Sequence, residues 1–255
     1  MPNITSEPNP DSSLRKICQV DMSCDAELDV PYPLPPHHYC MLFDGKPGSG
    51  KTNLIYNLIA MPGKFYHRKY NRVYFFTHSA HTINARINLP KERIIEKFDF
   101  ETLHSVLDEI QDANKIFKAR NDDQPHNLII LDDVVAEFKR GIHELKAMVF
   151  NRRHYHMSVI MVTQVYNQIP LELRKCCDTL VIFNTSNGKE VHTIHEEFLG
   201  HLTREQLKAM WKYVFDQRHN FLFIRADIVP AMEGMFKNFD KIVMEPHINN
   251  SYINL

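Results

Sequence analysis

From residue 39 onward, short apolar runs alternate with stretches of helical periodicity. Runs that are apolar at nearly every position and only four or five residues long are typical of strands buried on both faces of a parallel sheet. Helical patterns lie between them, so the sequence predicts an α/β fold with a mostly parallel sheet flanked by helices. The six runs are Tyr39–Phe43, Val73–Thr77, Leu128–Leu131, Val159–Val162, Leu180–Phe183 and Phe221–Ile224.

Two of the helices are marked by side chains at helical spacing. The first has one apolar stripe, and the second begins with the capping box formed by Thr203 and Gln206. Each pattern predicts an amphipathic helix that packs one face on the sheet. The stripe of the first helix is Leu103, Val106, Leu107, Ile110 and Phe117, and the face of the second is Leu207, Met210, Trp211 and Val214.

Residues 1–36 follow a different pattern. They contain seven of the fourteen prolines and end in Pro31-Tyr32-Pro33-Leu34-Pro35-Pro36. Proline removes backbone donors and favours extended chain, so we predict an N-terminal arm over residues 1–36 and one domain over 37–255. A flexible tail and an arm that docks on a neighbouring subunit or another partner both stay open. The apolar positions available for docking are Leu14, Val20, Leu28 and Tyr32.

Glycine is scarce, and its distribution is uneven. Three of the eight glycines fall within Gly45-Lys46-Pro47-Gly48-Ser49-Gly50-Lys51-Thr52, which matches the Walker A pattern GxxxxGK[ST] between an apolar strand and an amphipathic helix. Glycines let backbone N–H groups turn toward phosphate oxygens. We expect the loop to cradle ATP, Lys51 to reach the β- and γ-phosphates, and the Thr52 hydroxyl to bind Mg²⁺.

A second strand ends in two carboxylates. The run Asn127–Asp133 (NLIILDD) delivers Asp132 and Asp133 to the carboxyl end of a strand, where open α/β sheets bind ligands. We expect Asp132 to hold Mg²⁺ through its water shell and Asp133 to orient or deprotonate the attacking water. A third strand ends at Gln164, whose amide is either a sensor of the γ-phosphate or part of an ordinary turn.

The spacing of these motifs narrows the class of nucleotide enzyme. An NKxD-type guanine reader and an LSGGQ signature are both missing from the sequence. About eighty residues separate Lys51 from Asp132, which leaves room for another strand between the two motifs in the sheet. Such an order suits ATP-driven motors better than small-molecule kinases.

The residues also resemble a known family. GKPGSGKT, NLIILDDV and RRHYHMSVIMVTQVYNQIPLELR together look like the FtsK/HerA superfamily, and more closely like the genome-packaging ATPases of poxviruses and related large DNA viruses. The resemblance covers roughly residues 39–225 and is most specific between Arg152 and Arg174. It implies a RecA-like (ASCE) P-loop NTPase that forms a homo-oligomeric ring, a pentamer or hexamer, and translocates double-stranded DNA into a viral capsid.

The same resemblance implies roles for particular residues and partners. Gln164 matches the polar sensor, Arg153 matches the proposed trans-acting arginine finger, and Arg174 is the other matching arginine. The implied partner is a capsid or portal-region protein. The implied location of the chain is the host cytoplasm (the viral factory), the virion, or both. Asp133 stands where many motor ATPases have glutamate, although the poxvirus-type enzymes also look Asp-Asp. The proline-rich arm has no clear counterpart.

Two other functions stay open: a cellular DNA-pumping ATPase of the same superfamily, and a non-motor nucleotide-dependent switch or scaffold. The net charge of −1 requires any DNA contact to come from a local patch. Candidate patches are the segment 64–72, which is otherwise a solvated connection, and Lys139-Arg140, a candidate for lining a ring pore.

Composition and short motifs narrow the setting further. With no apolar run near eighteen residues and no secretory leader, we expect a soluble chain without a membrane span. The five cysteines form no CxxC pair and are interpreted as reduced thiols. We interpret His78-x-x-His81 and His192-x-x-His195 as surface histidines, because further ligands are missing at metal-binding spacing.

Overall fold

The computed structural model describes residues 27–36, 38–79, 89–120, 125–134, 137–138 and 141–244. Within them the chain forms one sheet of nine strands with helices on both faces. The strands are β1 Cys40–Asp44, β2 Arg72–Thr77, β3 Ile94–Ile95, β4 Asn127–Asp132, β5 Met157–Thr163, β6 Thr179–Phe183, β7 Phe221–Arg225, β8 Met235–Lys237 and β9 Asp240–Lys241. The α-helices are α1 Lys51–Ala60, α2 Phe100–Arg120, α3 Ile142–Phe150, α4 Leu171–Arg174, α5 Gly188–Phe198 and α6 Arg204–Val214.

The strands are ordered β3-β2-β4-β5-β1-β6-β7-β8-β9. Strands β3 to β6 in this order pair in parallel, which confirms a mostly parallel sheet. Strand β5 lies between β1 and β4, so a strand separates the two Walker motifs, as their spacing in the sequence allows. In register, Asp44 lies beside Thr163 and Asp132 beside Val162, and these strands therefore end at one edge of the sheet.

All six apolar runs are strands, but the direction expected for the sixth is wrong. Strand β7 pairs antiparallel with β6, and β8 and β9 continue the antiparallel part. The connection from β6 to β7 contains two helices, α5 and α6, each eleven residues long. The first leads the chain away from the carboxyl edge and the second brings it back. As a result, β7 starts at the edge where β6 ends.

The structure confirms the two helices that the periodicity of the sequence predicts. Helix α2 spans the predicted stripe, of which Phe117 is only partly buried, and α6 begins with both hydrogen bonds of the Thr203–Gln206 capping box. Side chains of α2, α3, α5 and α6 fill the core on one face of the sheet, and those of α1 contribute to the core on the other. In the described part of the chain, no helix has the length and apolarity needed to cross a membrane.

Residues 27–36 pack on the same face as α1. Leu28 and Leu34 are buried in that core. The Tyr66 hydroxyl donates to the Pro35 carbonyl at 2.9 Å, and the Arg225 guanidinium donates to the Pro33 carbonyl at 2.6 Å. This end of the arm therefore anchors on its own domain. The predicted boundary between an arm over 1–36 and a domain over 37–255 stays a prediction. Leu14 and Val20, two of the predicted docking positions, lie outside the described residues.

The buried leucine of this segment allows a test of its contribution to the fold. We expect Leu34→Ala to lower the free energy of unfolding by about 3 kcal/mol, because it leaves a cavity in a closed core. Leu171→Ala removes the same atoms from a side chain that is 42% exposed, and we expect it to cost about 1 kcal/mol or less. Urea denaturation measures both. A loss for Leu34→Ala as small as that for Leu171→Ala would show that residues 27–36 do not belong to the cooperative fold.

Candidate nucleotide-binding site

The loop between β1 and α1 has the backbone conformation that its glycines allow. Gly48 and Gly50 adopt φ of +72° and +114°, in the left-handed region that other residues rarely enter. A Cβ atom placed on Gly45 would lie 2.7 Å from the Cβ of Phe183, so this position excludes larger residues for want of space. The loop leads directly into the first turn of α1, whose backbone N–H groups have no partner within the helix.

The loop forms one wall of a cleft of about 340 Å³. The opposite wall comes from the ends of β4 and β5, so the cleft brings the Walker A residues and both Walker B carboxylates together. Its lining residues are Pro47, Gly48, Ser49, Gly50, Lys51, Thr52, Asn53, Ser79, Asp132, Asp133 and Gln164. The other two Walker A residues, Gly45 and Lys46, are not among them, and the Lys46 ammonium donates to the Ser186 hydroxyl at 2.9 Å.

Lys51 is buried at the base of the loop. Its ammonium donates to the carbonyl of Gly45 and, at 3.2 Å, to that of Lys46. Burial lowers the pKa of Lys51, while the carboxylates of Asp44, Asp133 and Asp132 oppose that shift. The ammonium is therefore a buried cation held by loop carbonyls and surrounded by acidic groups. Phosphate oxygens are stronger partners for it than carbonyls.

The Walker B residues differ in exposure. Asp132 is 8% exposed, and the Thr77 hydroxyl donates to it at 3.5 Å. Burial, followed by the charge of Asp133, raises the pKa of Asp132 to about 6. Asp133 is exposed, has a φ of +62°, and accepts a hydrogen bond of 2.5 Å from the amide of Gln164. The structure thus places the candidate base and the candidate sensor in direct contact.

These oxygens fit a magnesium ion. Mg²⁺ is a hard cation that binds oxygen and keeps much of its water shell, so one or two carboxylates with phosphates suffice to hold it. The hydroxyl of Thr52 and the carboxylate of Asp132 face the same cleft, and these two residues would hold the ion. Burial raises the pKa of Asp132, and a divalent cation in the cleft would favour its ionised form.

A buried carboxyl behind the loop has no signal in the sequence, where Asp44 is simply the end of a strand. Asp44 is 1% exposed, and Glu190, in the first turn of α5, is 5% exposed. The Thr185 hydroxyl donates to Glu190 at 2.7 Å. Burial, followed by the charge of Glu190, raises the pKa of Asp44 to about 7, although the ammonium of Lys51 opposes this.

The two arginines singled out from the sequence lie in different surroundings. Arg153 is exposed and precedes β5 at the amino edge of the sheet. The seven residues of β5 span about 20 Å, so Arg153 lies far from the cleft of its own chain. Arg174 is buried, contacts both oxygens of Glu197 at 2.6 and 2.9 Å, and lies 5.0 Å from the centre of the Tyr166 ring. These contacts support a structural role for Arg174.

The weaker sequence signals lie elsewhere. His192 pairs with Glu196 at 3.2 Å, and a ring nitrogen of His195 lies 2.9 Å from the Leu202 carbonyl. His78 lies 4.0 Å from Glu137. In the described ranges, no group of three or more His, Cys, Asp or Glu residues has a geometry that could hold a metal ion. His81, Lys139 and Arg140 fall outside those ranges.

The strand order and the phosphate loop define a P-loop NTPase. The chain belongs to the poxvirus A32 protein family, whose family model matches residues 33–220. This confirms the family resemblance seen in the sequence. No curated protein sequence matches the chain.

Solved structures show the same fold. One similar structure is the genome packaging NTPase B204 from Sulfolobus turreted icosahedral virus 2 in complex with ATPγS, with 14% identity and a TM-score of 0.52, covering 80% of this chain and 98% of that chain. Another is B204, the DNA-packaging ATPase from Sulfolobus turreted icosahedral virus, with 15% identity and a TM-score of 0.51, covering 78% of this chain and 96% of that chain.

The buried acid behind the loop makes stability depend on pH. The pKa of Asp44 is about 7 in the folded protein against an ordinary value of 3.8, so the folded state keeps a proton that the unfolded state loses first. Stability is therefore lost as pH rises from about 4 to about 7. We expect Asp44→Asn to have a free energy of unfolding up to about 4 kcal/mol higher than that of wild type at pH 8. At pH 4 we expect the two free energies to be equal.

Asp240→Asn is the matched control, because Asp240 is exposed on β9. Chemical denaturation at the two pH values measures the difference for both variants. A gain for Asp44→Asn that is the same at pH 4 and pH 8 would contradict a proton bound to Asp44 in the folded state.

Proposed function

We propose that this protein is a Mg²⁺-dependent ATPase that assembles as a ring and translocates double-stranded DNA into a viral capsid. The observation that carries the proposal is the cleft that brings Lys51, both Walker B carboxylates and Gln164 against one phosphate loop. The family match supports packaging over a cellular pump, and the B204 structures, described as a packaging NTPase and ATPase, share the fold.

The predicted site residues that line the cleft have distinct roles in this chemistry. The backbone N–H groups of the loop and the first turn of α1 bind the phosphates, and Lys51 moves from the loop carbonyls to the β- and γ-phosphates. Thr52 and Asp132 would hold Mg²⁺, which when bound would supply positive charge next to the phosphates. Asp133 accepts a proton from the attacking water, or orients that water, and Gln164 reports the presence of the γ-phosphate through its bond to Asp133.

The position of Arg153 supports its assignment as the residue supplied to a neighbouring subunit. It is exposed at the amino edge, far from its own cleft, so any nucleotide it contacts belongs to another copy. An arginine supplied in trans stabilises transition-state charge and raises the rate of phosphoryl transfer by about 10³ to 10⁵. A ring is the closed arrangement in which every site receives one such arginine.

The DNA and capsid contacts are also proposals. In the segment 64–72, Arg68 is exposed, while Lys69 pairs with Asp29 at 2.9 Å. Arg68 lies between α1 and β2, where its guanidinium is accessible to phosphates of a duplex. The capsid or portal-region partner follows from the family.

Removal of the loop lysine tests the ATPase assignment. We expect Lys51→Ala to lower ATP turnover about hundredfold or more, because the buried charge that stabilises the transferred phosphate is lost. Lys175→Ala is the control, since Lys175 is exposed after α4, and it should keep wild-type turnover. Phosphate release with and without duplex DNA measures both. Unchanged turnover in Lys51→Ala would show that the site assignment is wrong. Absence of DNA stimulation in wild type would favour a nucleotide-dependent switch over a motor.

Mixed assemblies test whether Arg153 acts in trans. Arg153→Ala alone and Lys51→Ala alone should each lose nearly all turnover, by about 10³ for the arginine. Their mixture should regain activity, because an intact cleft on one subunit then meets an intact Arg153 on the next. The matched control mixes Lys51→Ala with Asp132→Ala, neither of which has an intact cleft, and it should stay inactive. A mixture of the first pair no more active than its components would argue against a finger at Arg153.

A further inference from the structure

The antiparallel direction of β7 places an unexpected loop at the nucleotide edge of the sheet. Because β7 starts where β6 ends, the residues just before it, 216–220, lie beside the phosphate loop. A ring nitrogen of His219, Nδ1, lies 2.8 Å from the carbonyl oxygen of Ser49, 170 residues away in sequence. The same Nδ1 lies 3.4 Å from where a Cβ of Gly50 would stand.

This contact fixes the tautomer of the histidine. A carbonyl oxygen only accepts hydrogen bonds, so Nδ1 must carry the hydrogen and donate it to Ser49. The bond therefore persists whether the imidazole is neutral or protonated. His219 holds the Ser49 carbonyl from the side of the loop on which β7 starts.

The position of that carbonyl sets the direction of a neighbouring donor. The Ser49 carbonyl and the Gly50 N–H belong to one planar trans peptide, in which the two groups point in opposite directions. If His219 binds the carbonyl, the Gly50 N–H points away from the imidazole. Gly50 is the residue that precedes α1 and lines the cleft, so this N–H is one of the donors that a phosphate would meet.

The loop that carries the histidine is tied to its neighbours. His219 has a φ of +71°, in the left-handed region that histidine enters more often than most residues other than glycine. Asp216 binds the ammonium of Lys237 and the amide of Asn220, both at 2.8 Å. Asn238 in turn donates to Asn220 at 3.2 Å. Side chains of the hairpin between β8 and β9 thus fix the loop that carries His219.

We propose that His219 is a positioning residue for the phosphate loop. Its imidazole binds the Ser49 carbonyl and thereby aims the Gly50 N–H at the phosphates of ATP. This inference rests on the proposed ATPase function and assigns it a further residue. His219 acts through the loop and does not touch the nucleotide. Its loss should weaken ATP binding more than the chemical step, because Lys51, the carboxylates and Gln164 stay in place.

The test is the dependence of ATP hydrolysis on ATP concentration for the full chain. We expect His219→Ala to raise KM for ATP about tenfold and to change kcat less than twofold, as the loss of one oriented donor predicts. His219→Asn should restore KM to within about twofold, since its amide donates from the position of Nδ1 and asparagine tolerates positive φ. His201→Ala, an exposed histidine between α5 and α6, is the matched control and should behave as wild type.

The outcomes separate this inference from the function on which it rests. A wild-type protein without ATP turnover would defeat the proposed function. Active wild type with an unchanged KM in His219→Ala, or with KM raised equally in His219→Asn, would overturn the role of His219 alone. If His219→Ala does not fold, His219→Gln replaces it, because its amide nitrogen lies one bond farther along the side chain than Nδ1 and does not occupy the position of Nδ1. Equal KM values for the Gln and Asn variants would then overturn the proposal.

Discussion

Parallel pairing of β4, β5 and β1 is the constraint on which the site depends. The three strands share a register in which Asp132 lies beside Val162 and Asp44 beside Thr163. Three loops separated by many residues in sequence therefore leave the sheet at one edge and meet there. The phosphate loop, the two carboxylates and the amide come together through backbone pairing of the strands that carry them.

Burial of charge is the second property of this edge. Lys51 is the cation around which Asp44, Asp132 and Asp133 are arranged, and three of these four groups are nearly inaccessible to water. Charges that leave water are stabilised only by partners, and the partners here are each other. Two of the carboxyls respond with raised pKa values. A nucleotide with its metal would add charges of both signs at this place and change the balance for all of them.

Much of this architecture was predictable because its causes are local in the sequence. A buried strand shows as an apolar run, and the phosphate loop is a contiguous motif whose glycines are required by its backbone. The direction of β7 was not predictable, since it depends on how two helices lead the chain. His219 was missed for the same reason: one of fifteen histidines, it acquires a neighbour 170 residues away only through that reversal.

The arginines and the arm show another limit of sequence patterns. The sequence alone does not distinguish the surroundings of Arg153 from those of Arg174. In the structure, the guanidinium of Arg153 is exposed, whereas that of Arg174 is buried and held by Glu197. The prolines of residues 31–36 indicate extended chain, which is compatible with both a free arm and a segment packed on the sheet. Leu28 and Leu34 decide for packing because the core beside α1 has room for them.

The two borders of the sheet limit how copies of the chain could pair through their backbones. In the described part of the chain, the outermost strands, β3 and β9, are each two residues long, so neither strand offers a neighbour more than a short edge. Long open edges join sheets into continuous and nearly permanent assemblies, and short ones prevent this. Copies of the chain that associated would therefore contact one another through side chains and loops, and such contacts can loosen and re-form without unravelling either partner.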